Sequence, residues 1–581
     1  MSRVKFSTNL LVVPFVVLLV ACSSSSNNQN PSADNNHSVI DNNSSLNDEN
    51  HSTVLKVPLS YYTIVNNKTA YIPPQCYTKV KDENRSLAYN PCFSCHTKSV
   101  APNFVNDSDV QKEYLFATYA TKNRYNNLFV DRRAAVSAIS DSEMKHYIRL
   151  SNYFDENGSI ILQKKLAHLP KAWDNYPDGK FNGYIPDCYF NFDSKGFDHA
   201  PNGSPTRWRA FGYYPFLGTF WPTNGSTDDV LIRLPKRFSQ NSDGEYNQSI
   251  YQANLSIIEM LIKQRDINVS LDEHALGVDI NHDGTLSTLS TLKLPASRDE
   301  IFFVGKAQEE HLQGKFKIDF GLYPVGTEFL HSVRYIDADT NGSIVLSARI
   351  KELRYAVKSV WLSSARHQIA ADLEADEKRY YPDSIKSFNG DSEVGLNNNL
   401  GWKYHAFIED EHGDLRPQNY EELIYCMGCH GMIGATTDTI FTFGRKMDAL
   451  SFQHGWFHWS QQSLKGVLEP KRLDGEYLYS HYLTHNGAGD EFRENSEIIN
   501  KFFTSSHELN SSAVARLHND LSYLLFPSYE RAMLLNKAYF QIVKAQSYIY
   551  GRDATLTPVT NVLKEVKRND LTGIESELIG Y

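Results

Sequence analysis

The spacing of apolar residues changes along the chain and predicts helices in some regions and strands in others. Between residues 512 and 550 apolar positions recur every three or four residues, as on one face of a helix: Val514, Leu517, Leu521 and Leu525. Residues 349–381 also read as helical, because Glu, Ala, Lys and Arg are abundant there and Gly and Pro are absent. Short apolar runs at 230–234 and 316–320 predict strands. The chain is therefore expected to combine both kinds of element.

Another apolar run, at residues 10–21, follows Arg3 and Lys5 and is too short to span a bilayer comfortably. This order is typical of a secretory signal peptide, which we assign to residues 1–21. The run ends in Leu-Val-Ala followed by Cys22, which resembles a bacterial lipobox. Cys22 is therefore expected to be acylated and to become the mature N-terminus. The alternative is an ordinary signal peptide that contains a cysteine.

Residues 22–52, headed by that cysteine, are dominated by Ser and Asn. Such a segment cannot bury enough apolar surface to fold and predicts a disordered tether. In the bacterial lipoproteins that this N-terminus resembles, an Asp after the acylated cysteine favours retention at the inner membrane. Here the residue is Ser23, which favours the outer membrane. We expect an exported lipoprotein that a lipid anchor holds at the outer membrane, on its periplasmic or cell-surface face.

Composition narrows the classes of function. The 581 residues carry a formal net charge of −10 and have an isoelectric point near 6.1. These values argue against nucleic-acid binding, because a nucleic-acid binder presents a basic face. Seven cysteines are few for this length and odd in number, so they do not form a disulfide scaffold. With one cysteine assigned to lipidation, six remain for chemistry.

Four of these cysteines lie in two Cys-x-x-Cys-His motifs. The residues are Cys92, Cys95 and His96 in the first motif and Cys426, Cys429 and His430 in the second. Two thiols at this spacing form thioethers with the two vinyl groups of one haem, and the adjacent histidine supplies the proximal nitrogen to iron. A four-cysteine zinc site and thioredoxin-like redox chemistry are the alternatives, but neither explains why His follows both pairs. We predict two covalently bound haem c groups.

The two motifs and the lipobox together resemble dihaem c-type cytochromes exported by Gram-negative bacteria. The sequences of residues 487–493 (Gly-Ala-Gly-Asp-Glu-Phe-Arg) and 550–554 (Tyr-Gly-Arg-Asp-Ala) are similar to those of a large group of lipoprotein cytochromes. The resemblance implies an electron carrier that works with redox partner proteins of the cell envelope. A dihaem peroxidase-like oxidoreductase with one open haem is the alternative. A haem-containing binding or assembly module is a third hypothesis.

The sixth ligand of each iron decides whether a haem carries electrons or does chemistry. For the first haem the candidates are Met144 and His146, which follow the proximal histidine by about fifty residues. For the second haem the candidates are His454, His458, His481 and His485. Each of these two pairs is spaced by four residues and would share one face of a helix. An ordinary core or surface position is the alternative for every candidate.

The last two cysteines, Cys76 and Cys188, lie in similar proline-containing segments. Outside the cytoplasm, two leftover cysteines most simply pair. We therefore predict a Cys76–Cys188 disulfide, with two unpaired buried thiols as the alternative.

One loop resembles the opening of an EF-hand-like calcium loop. Oxygen-bearing side chains recur at alternate positions around a glycine: Asp279, Asn281, Asp283 and Thr285. Ser290 stands where such a loop has its bidentate Glu, and residues 337–342 repeat only the opening. Each loop is therefore either a candidate calcium site or a turn between strands.

These features divide the chain behind the tether into three regions. They are the first haem region (53–175), a central mixed region (176–399) and the second haem region with the C-terminus (400–581). The two motif histidines are 334 residues apart, so the motifs are not a simple tandem pair. The predicted fold class is α+β, with helical haem-bearing regions, a central region of β-strands and long loops, and a helical C-terminus.

Overall fold

A large antiparallel sheet organises the chain in the structure, which is a computed structural model. The structure describes residues 71–79, 90–104, 111–218, 222–384, 386–448, 450–486 and 495–574. The strands in these ranges are β1 (Phe197–His199), β2 (Pro205–Phe211), β3 (Val230–Arg233), β4 (Ile267–Asp272), β5 (Thr288–Leu292), β6 (Glu328–Ala338), β7 (Ile344–Lys358), β8 (Gly390–Asp391), β9 (Gly395–Asn397), β10 (Trp402–Glu409) and β11 (Leu415–Pro417). Eight of these described strands pair in the order β1-β2-β3-β6-β7-β10-β9-β8, β11 also pairs with β10, and β4 and β5 form a separate two-stranded sheet.

Helices precede, interrupt and follow these strands. Their bounds are α1 (Cys92–Cys95), α2 (Arg133–Ser137), α3 (Asp141–Arg149), α4 (Ile161–Ala167), α5 (Gln248–Lys263), α6 (Glu273–Leu276), α7 (Lys306–Leu312), α8 (Ser364–Tyr380), α9 (Tyr420–Leu423), α10 (Tyr425–Cys429), α11 (Thr442–Arg445), α12 (Leu478–Asn486), α13 (Ser496–Phe502), α14 (Ser511–Asn519), α15 (Ser522–Leu525) and α16 (Tyr529–Ala545). The predicted α+β fold class is confirmed, and α14 to α16 make the C-terminal part helical.

Apolar side chains fill both faces of the sheet in alternation. On β3, Val230 and Ile232 enter one core cluster and Leu231 enters another, as a side-chain period of two requires. The first of these clusters includes α5, most of whose residues are buried. Elsewhere α3 and α16 pack against the central strands β6 and β7. Among the described residues, the sheet thus has apolar clusters on both faces and helices packed on it.

The turn between β6 and β7 settles one of the two calcium-like sequences. Asp339 Oδ1 accepts the backbone N–H groups of Asn341 and Ser343, each at 2.8 Å. Gly342 has φ +80°, a conformation that favours glycine. Asp337 and Ala338 therefore belong to β6, and residues 339–343 form the turn between β6 and β7, which was the alternative interpretation.

Two predictions of secondary structure are wrong in part or in full. The predicted helix at 349–381 is strand β7 as far as Lys358 and becomes helix α8 only from Ser364. Its first part lies between β6 and β10, where charged side chains pair inside the protein, as Arg354 does with Glu352 at 3.1 Å. Residues 316–320 lie outside every strand described above, and the ring of Phe316 packs on other aromatic rings instead. The strand predicted at 230–234 is confirmed as β3.

The three regions outlined from the sequence are interleaved. Thr78 pairs with Val562 and Lys122 pairs with Glu565, so the C-terminal tail holds the first region. The described residues belong to one compact unit. None of the described helices is both long enough and apolar enough to cross a membrane. The predicted signal peptide, Cys22 and the tether lie outside the described residues.

Candidate haem site

Each Cys-x-x-Cys-His motif forms a single helical turn that ends at its histidine. In the first motif the backbone N–H of His96 donates to the carbonyl oxygen of Cys92 at 2.8 Å. The second motif has the same bond, from His430 to Cys426, at 3.0 Å. The two histidines also share a backbone conformation, with φ −90° and ψ 63° at His96 and φ −88° and ψ 41° at His430. Each turn therefore presents two thiols and an imidazole from one short segment, as covalent haem attachment requires.

The first motif contacts the segment that follows the second motif. The backbone N–H of Ala435, just beyond the second motif, donates to the carbonyl oxygen of Cys95 at 3.0 Å. The neighbouring Gly434 permits this approach, because a Cβ there would lie 1.8 Å from the carbonyl oxygen of Thr97. Motifs that are 334 residues apart in sequence are therefore side by side in the fold.

Three features position the second motif: a helix cap, an ion pair and a glycine. Asn419 and Glu422 form a capping box at the start of α9, the helix that leads into α10. Arg416 on β11 binds Glu422 through two bonds of 2.8 Å, a bidentate geometry that also fixes direction. Within the motif, Gly428 leaves no room for a side chain, since a Cβ would lie 1.7 Å from the carbonyl oxygen of Tyr71.

Of the motif cysteines, Cys92 is buried and Cys95, Cys426 and Cys429 are partly exposed, and none forms a disulfide. Burial raises the pKa of Cys92 to about 12 and that of Cys429 to about 11, where Cys426 adds to the rise and Arg354 opposes it. Burial likewise raises the pKa of Cys95, and the nearby Cys429 raises it further. At neutral pH these thiols are protonated and unpaired, which is the form that adds to haem vinyl groups.

Cys76 lies beside the haem motifs and not beside Cys188. Burial raises the pKa of the Cys76 thiol, and the proximity of Cys92, Cys95 and Cys429 adds to that rise. Cys188 is packed in a different apolar cluster. Both thiols are free, so the predicted Cys76–Cys188 disulfide is not formed. Similar local sequences did not indicate contact, because the two segments pack into different apolar clusters.

The surroundings of His430 fit a proximal iron ligand. Its Nδ1 lies 3.1 Å from the carbonyl oxygen of Thr439, which fixes the ring and leaves Nε2 for a metal. The rings of Tyr404 and Phe441 lie 4.7 and 5.7 Å from the imidazole. Burial lowers the pKa of His430 to about 4, so the ring is neutral, as a metal ligand must be. The donor set thus fits haem c.

The described residues give no support to the zinc alternative or to calcium. Among them no group of three or more His, Cys, Asp or Glu side chains is arranged to hold a metal ion. In the calcium-like loop, Asp279 accepts the backbone N–H groups of Asp283 and Gly284, and the side chains of Asn281 and Thr285 donate to Asp283. The loop oxygens are therefore engaged with the loop itself.

The structure places neither candidate sixth ligand of the first haem at the first motif. Met144, on the apolar face of α3, is 1% exposed in a cluster with Val136 and Ile148 to which the motif contributes no residue. His146 is exposed on the same helix. Met144 therefore has the ordinary core role that was its alternative.

The candidates for the second haem fall into two groups. His458 is fully engaged, with Nε2 2.8 Å from Asp229 Oδ2 and Nδ1 3.0 Å from Ser460 Oγ. His454 lies in a short turn at φ +58°, and its carbonyl oxygen accepts a bond from the buried Lys446. These two histidines do not share a helix. His481 and His485 do share one face of α12, as predicted, but α12 lies against the first motif, where the ring of Phe93 is 6.0 Å from that of His485.

A charged cleft beside the second motif was not predicted. The cleft has a volume of about 630 Å³, part of it open to solvent, and lies between β7, α16 and the segment after residue 550. Glu352 receives hydrogen bonds from Arg354, at 3.1 and 3.2 Å, and from Arg552, at 3.0 Å. Arg552 also covers the ring of Tyr425 at 4.8 Å. The sequence signal was the 550–554 segment, which contains Arg552 but says nothing of its partner.

With the geometry established, comparison with known proteins gives the class of protein. A sequence model of a family described as "-like lipoprotein" matches residues 60–522, a span that includes both haem motifs. A protein of Aquifex aeolicus (strain VF5) named "Uncharacterized lipoprotein" is 30% identical over 554 residues, covering 87% of this chain and 90% of that relative. No solved structure matches. The chain belongs to this lipoprotein family, which makes it an exported protein anchored to a membrane.

Proposed function

We propose that this lipoprotein is a dihaem c-type cytochrome that relays electrons in the bacterial cell envelope. The observation that carries the proposal is the contact between the first motif turn and the segment just after the second, through Cys95 and Ala435. Haem supplies an iron that accepts and returns one electron. Each cysteine pair would hold one haem by thioethers, and His96 and His430 would supply the proximal nitrogens.

The adjacency of the motifs suits electron relay. Cys92 and Cys95 would hold one haem and Cys426 and Cys429 the other, on segments that contact each other through Cys95 and Ala435, and the two groups would supply one-electron exchange. The Thr439 carbonyl holds the His430 ring in one orientation and increases donation from Nε2. The desolvated surroundings of Cys95 and Cys429 would offer a haem attached there a low-dielectric setting.

The lipid anchor on Cys22 would keep this pair near a membrane surface. Ser23 after the anchored cysteine supports the outer membrane as that surface. The electron donor and acceptor would then be redox proteins of the envelope, with no nucleic acid involved.

The test counts covalent haems per chain in protein matured with a cytochrome c assembly system. We expect two haems in the wild type and one in each paired variant, Cys92→Ser with Cys95→Ser and Cys426→Ser with Cys429→Ser. The matched control is Cys188→Ser, a buried cysteine away from the motifs, which should retain two. Pyridine haemochrome absorbance and intact mass measure the count. A wild type without covalent haem, or paired variants that keep two, would contradict the proposal.

A further inference from the structure

Helix α12 packs on the first haem motif. The ring of Phe93, between the two motif cysteines, lies 5.7 Å from the ring of Tyr482 and 6.0 Å from that of His485. Gly218 permits this approach, because a Cβ there would lie 2.8 Å from Tyr482 Oη and 3.2 Å from Pro91 Cβ. A helix that follows the second motif in sequence is therefore the neighbour of the first motif in space.

Two histidines are stacked one turn apart on this helix. The rings of His481 and His485 lie 3.9 Å apart at an angle of 26°. Nδ1 of His481 lies 2.8 Å from Glu476 Oε2, and Nδ1 of His485 lies 2.9 Å from the carbonyl oxygen of His481. When Nδ1–H donates in this way, the lone pair of the ring is on Nε2. A carboxylate or carbonyl behind Nδ1 is the usual support of a metal-binding histidine.

The second nitrogen of His481 lacks a partner. Its Nε2 is buried and makes no hydrogen bond among the described residues. A buried polar atom left in this state is unfavourable, which points to a partner that the described residues do not supply. An iron coordinated by Nε2 would be such a partner.

We propose that α12 supplies the sixth ligand of the first haem iron, through Nε2 of His481 or His485. The inference rests on the proposed haem attachment at Cys92 and Cys95. It transfers two histidines from the second haem, to which sequence spacing assigns them, to the first. His96 and one α12 histidine would then both be ligands of the first iron, and together they would keep it from binding outside ligands.

The test is electron paramagnetic resonance of the ferric protein in a chain that carries only the first haem, through Cys426→Ser with Cys429→Ser. We expect a low-spin signal typical of two imidazole ligands. His481→Ala with His485→Ala should convert it to high spin, and added imidazole should restore low spin. The two single variants identify which ring binds the iron. The matched control is His146→Ala, which removes an exposed histidine and should leave the signal unchanged.

Haem content is measured in the same samples, so that two kinds of failure are distinguishable. Loss of covalent haem from the wild type contradicts the proposed function. Two other outcomes overturn the ligand assignment alone. In the first, the chain carries one haem and its low-spin signal survives the double histidine variant. In the second, the first haem is high-spin before any histidine is changed. If the single-haem chain does not mature, the intact chain gives the test, because the double variant should convert one of its haems from low to high spin and leave the signal of the other unchanged.

Discussion

The contact between the two haem motifs depends on the absence of a side chain at Gly434. A Cβ there would lie 1.8 Å from the carbonyl oxygen of Thr97 and 2.7 Å from its carbonyl carbon. Real Cβ atoms keep at least 3.0 Å from such atoms, so Gly434→Ala must separate the two segments by about 1.2 Å. The bond from Ala435 to the Cys95 carbonyl, 3.0 Å long, would then exceed hydrogen-bonding range.

The cost follows from these two changes. Forcing a methyl group into packed surroundings costs about 1–3 kcal/mol, and loss of one hydrogen bond costs about 0.5–1.5 kcal/mol. We expect Gly434→Ala to lower the free energy of unfolding by about 2–4 kcal/mol. The matched control is Gly431→Ala in the same segment, where an added Cβ meets no atom within 4 Å. That variant should stay within about 0.5 kcal/mol of the wild type.

Guanidinium unfolding of the haem-loaded protein, followed by tryptophan fluorescence, measures the difference in unfolding free energy between each variant and the wild type. It is seen as a shift in the denaturation midpoint with an unchanged dependence of the free energy on denaturant concentration. The same two variants report on the haem pair. Interaction between adjacent haems separates their reduction potentials, and this separation should shrink in Gly434→Ala and persist in Gly431→Ala. Equal stability and equal separation in the two variants would refute the reasoning.

Three further outcomes are expected. Burial raises the pKa of Glu409 from 4.5 to about 7, so wild-type stability should fall as the pH rises from about 4.5 to 7. The fall amounts to at most about 3 kcal/mol of unfolding free energy, and Glu409→Gln should abolish it. Denaturation of both proteins at several pH values measures this, and identical pH profiles would contradict the prediction. Asp438 lies 2.6 Å from Lys358 Nζ, and both side chains are fully buried. Asp438→Asn should therefore lower the free energy of unfolding by about 3–5 kcal/mol, because it leaves a buried charge without its partner. A loss below about 1 kcal/mol would contradict this prediction. Ser23→Asp should move the protein to the inner membrane in density-gradient fractionation while Ser26→Asp does not, and an unchanged distribution of both would argue against the outer membrane.

The local chemistry of the motifs can be predicted from the sequence, whereas their contact cannot. Two cysteines and a histidine act within one helical turn, so their spacing alone indicates haem attachment. The contact joins backbone groups of Cys95 and Ala435, which any residue possesses. The glycine at position 434 is the one trace of this contact in the sequence, and a glycine by itself does not name its neighbour.

The candidate sixth ligands show where spacing along the chain misleads. Distance from His430 assigns His481 and His485 to the second haem, but α12 lies against the first motif. Spacing by four residues predicts a shared face only where a helix forms. It does so for the α12 pair, whereas the short turn that contains His454 ends before His458. The helix prediction at 349–358 failed for a related reason, because burial between two strands outweighed the helical propensity of its residues.

The long chain between the motifs is explained by how each motif is held. The second motif follows directly from the sheet, since β10 and β11 lead into α9 and α10 and α9 packs on β10. The first motif lies outside every strand of the described sheet and is held by segments that come much later in the chain, the loop at Gly434, helix α12 and the tail that pairs with Thr78. The central strands therefore set the distance and angle at which these late segments meet the first motif. A fragment that carried either motif alone would keep its Cys-x-x-Cys-His turn but lose its neighbour, so the adjacency of the two motifs depends on the whole chain.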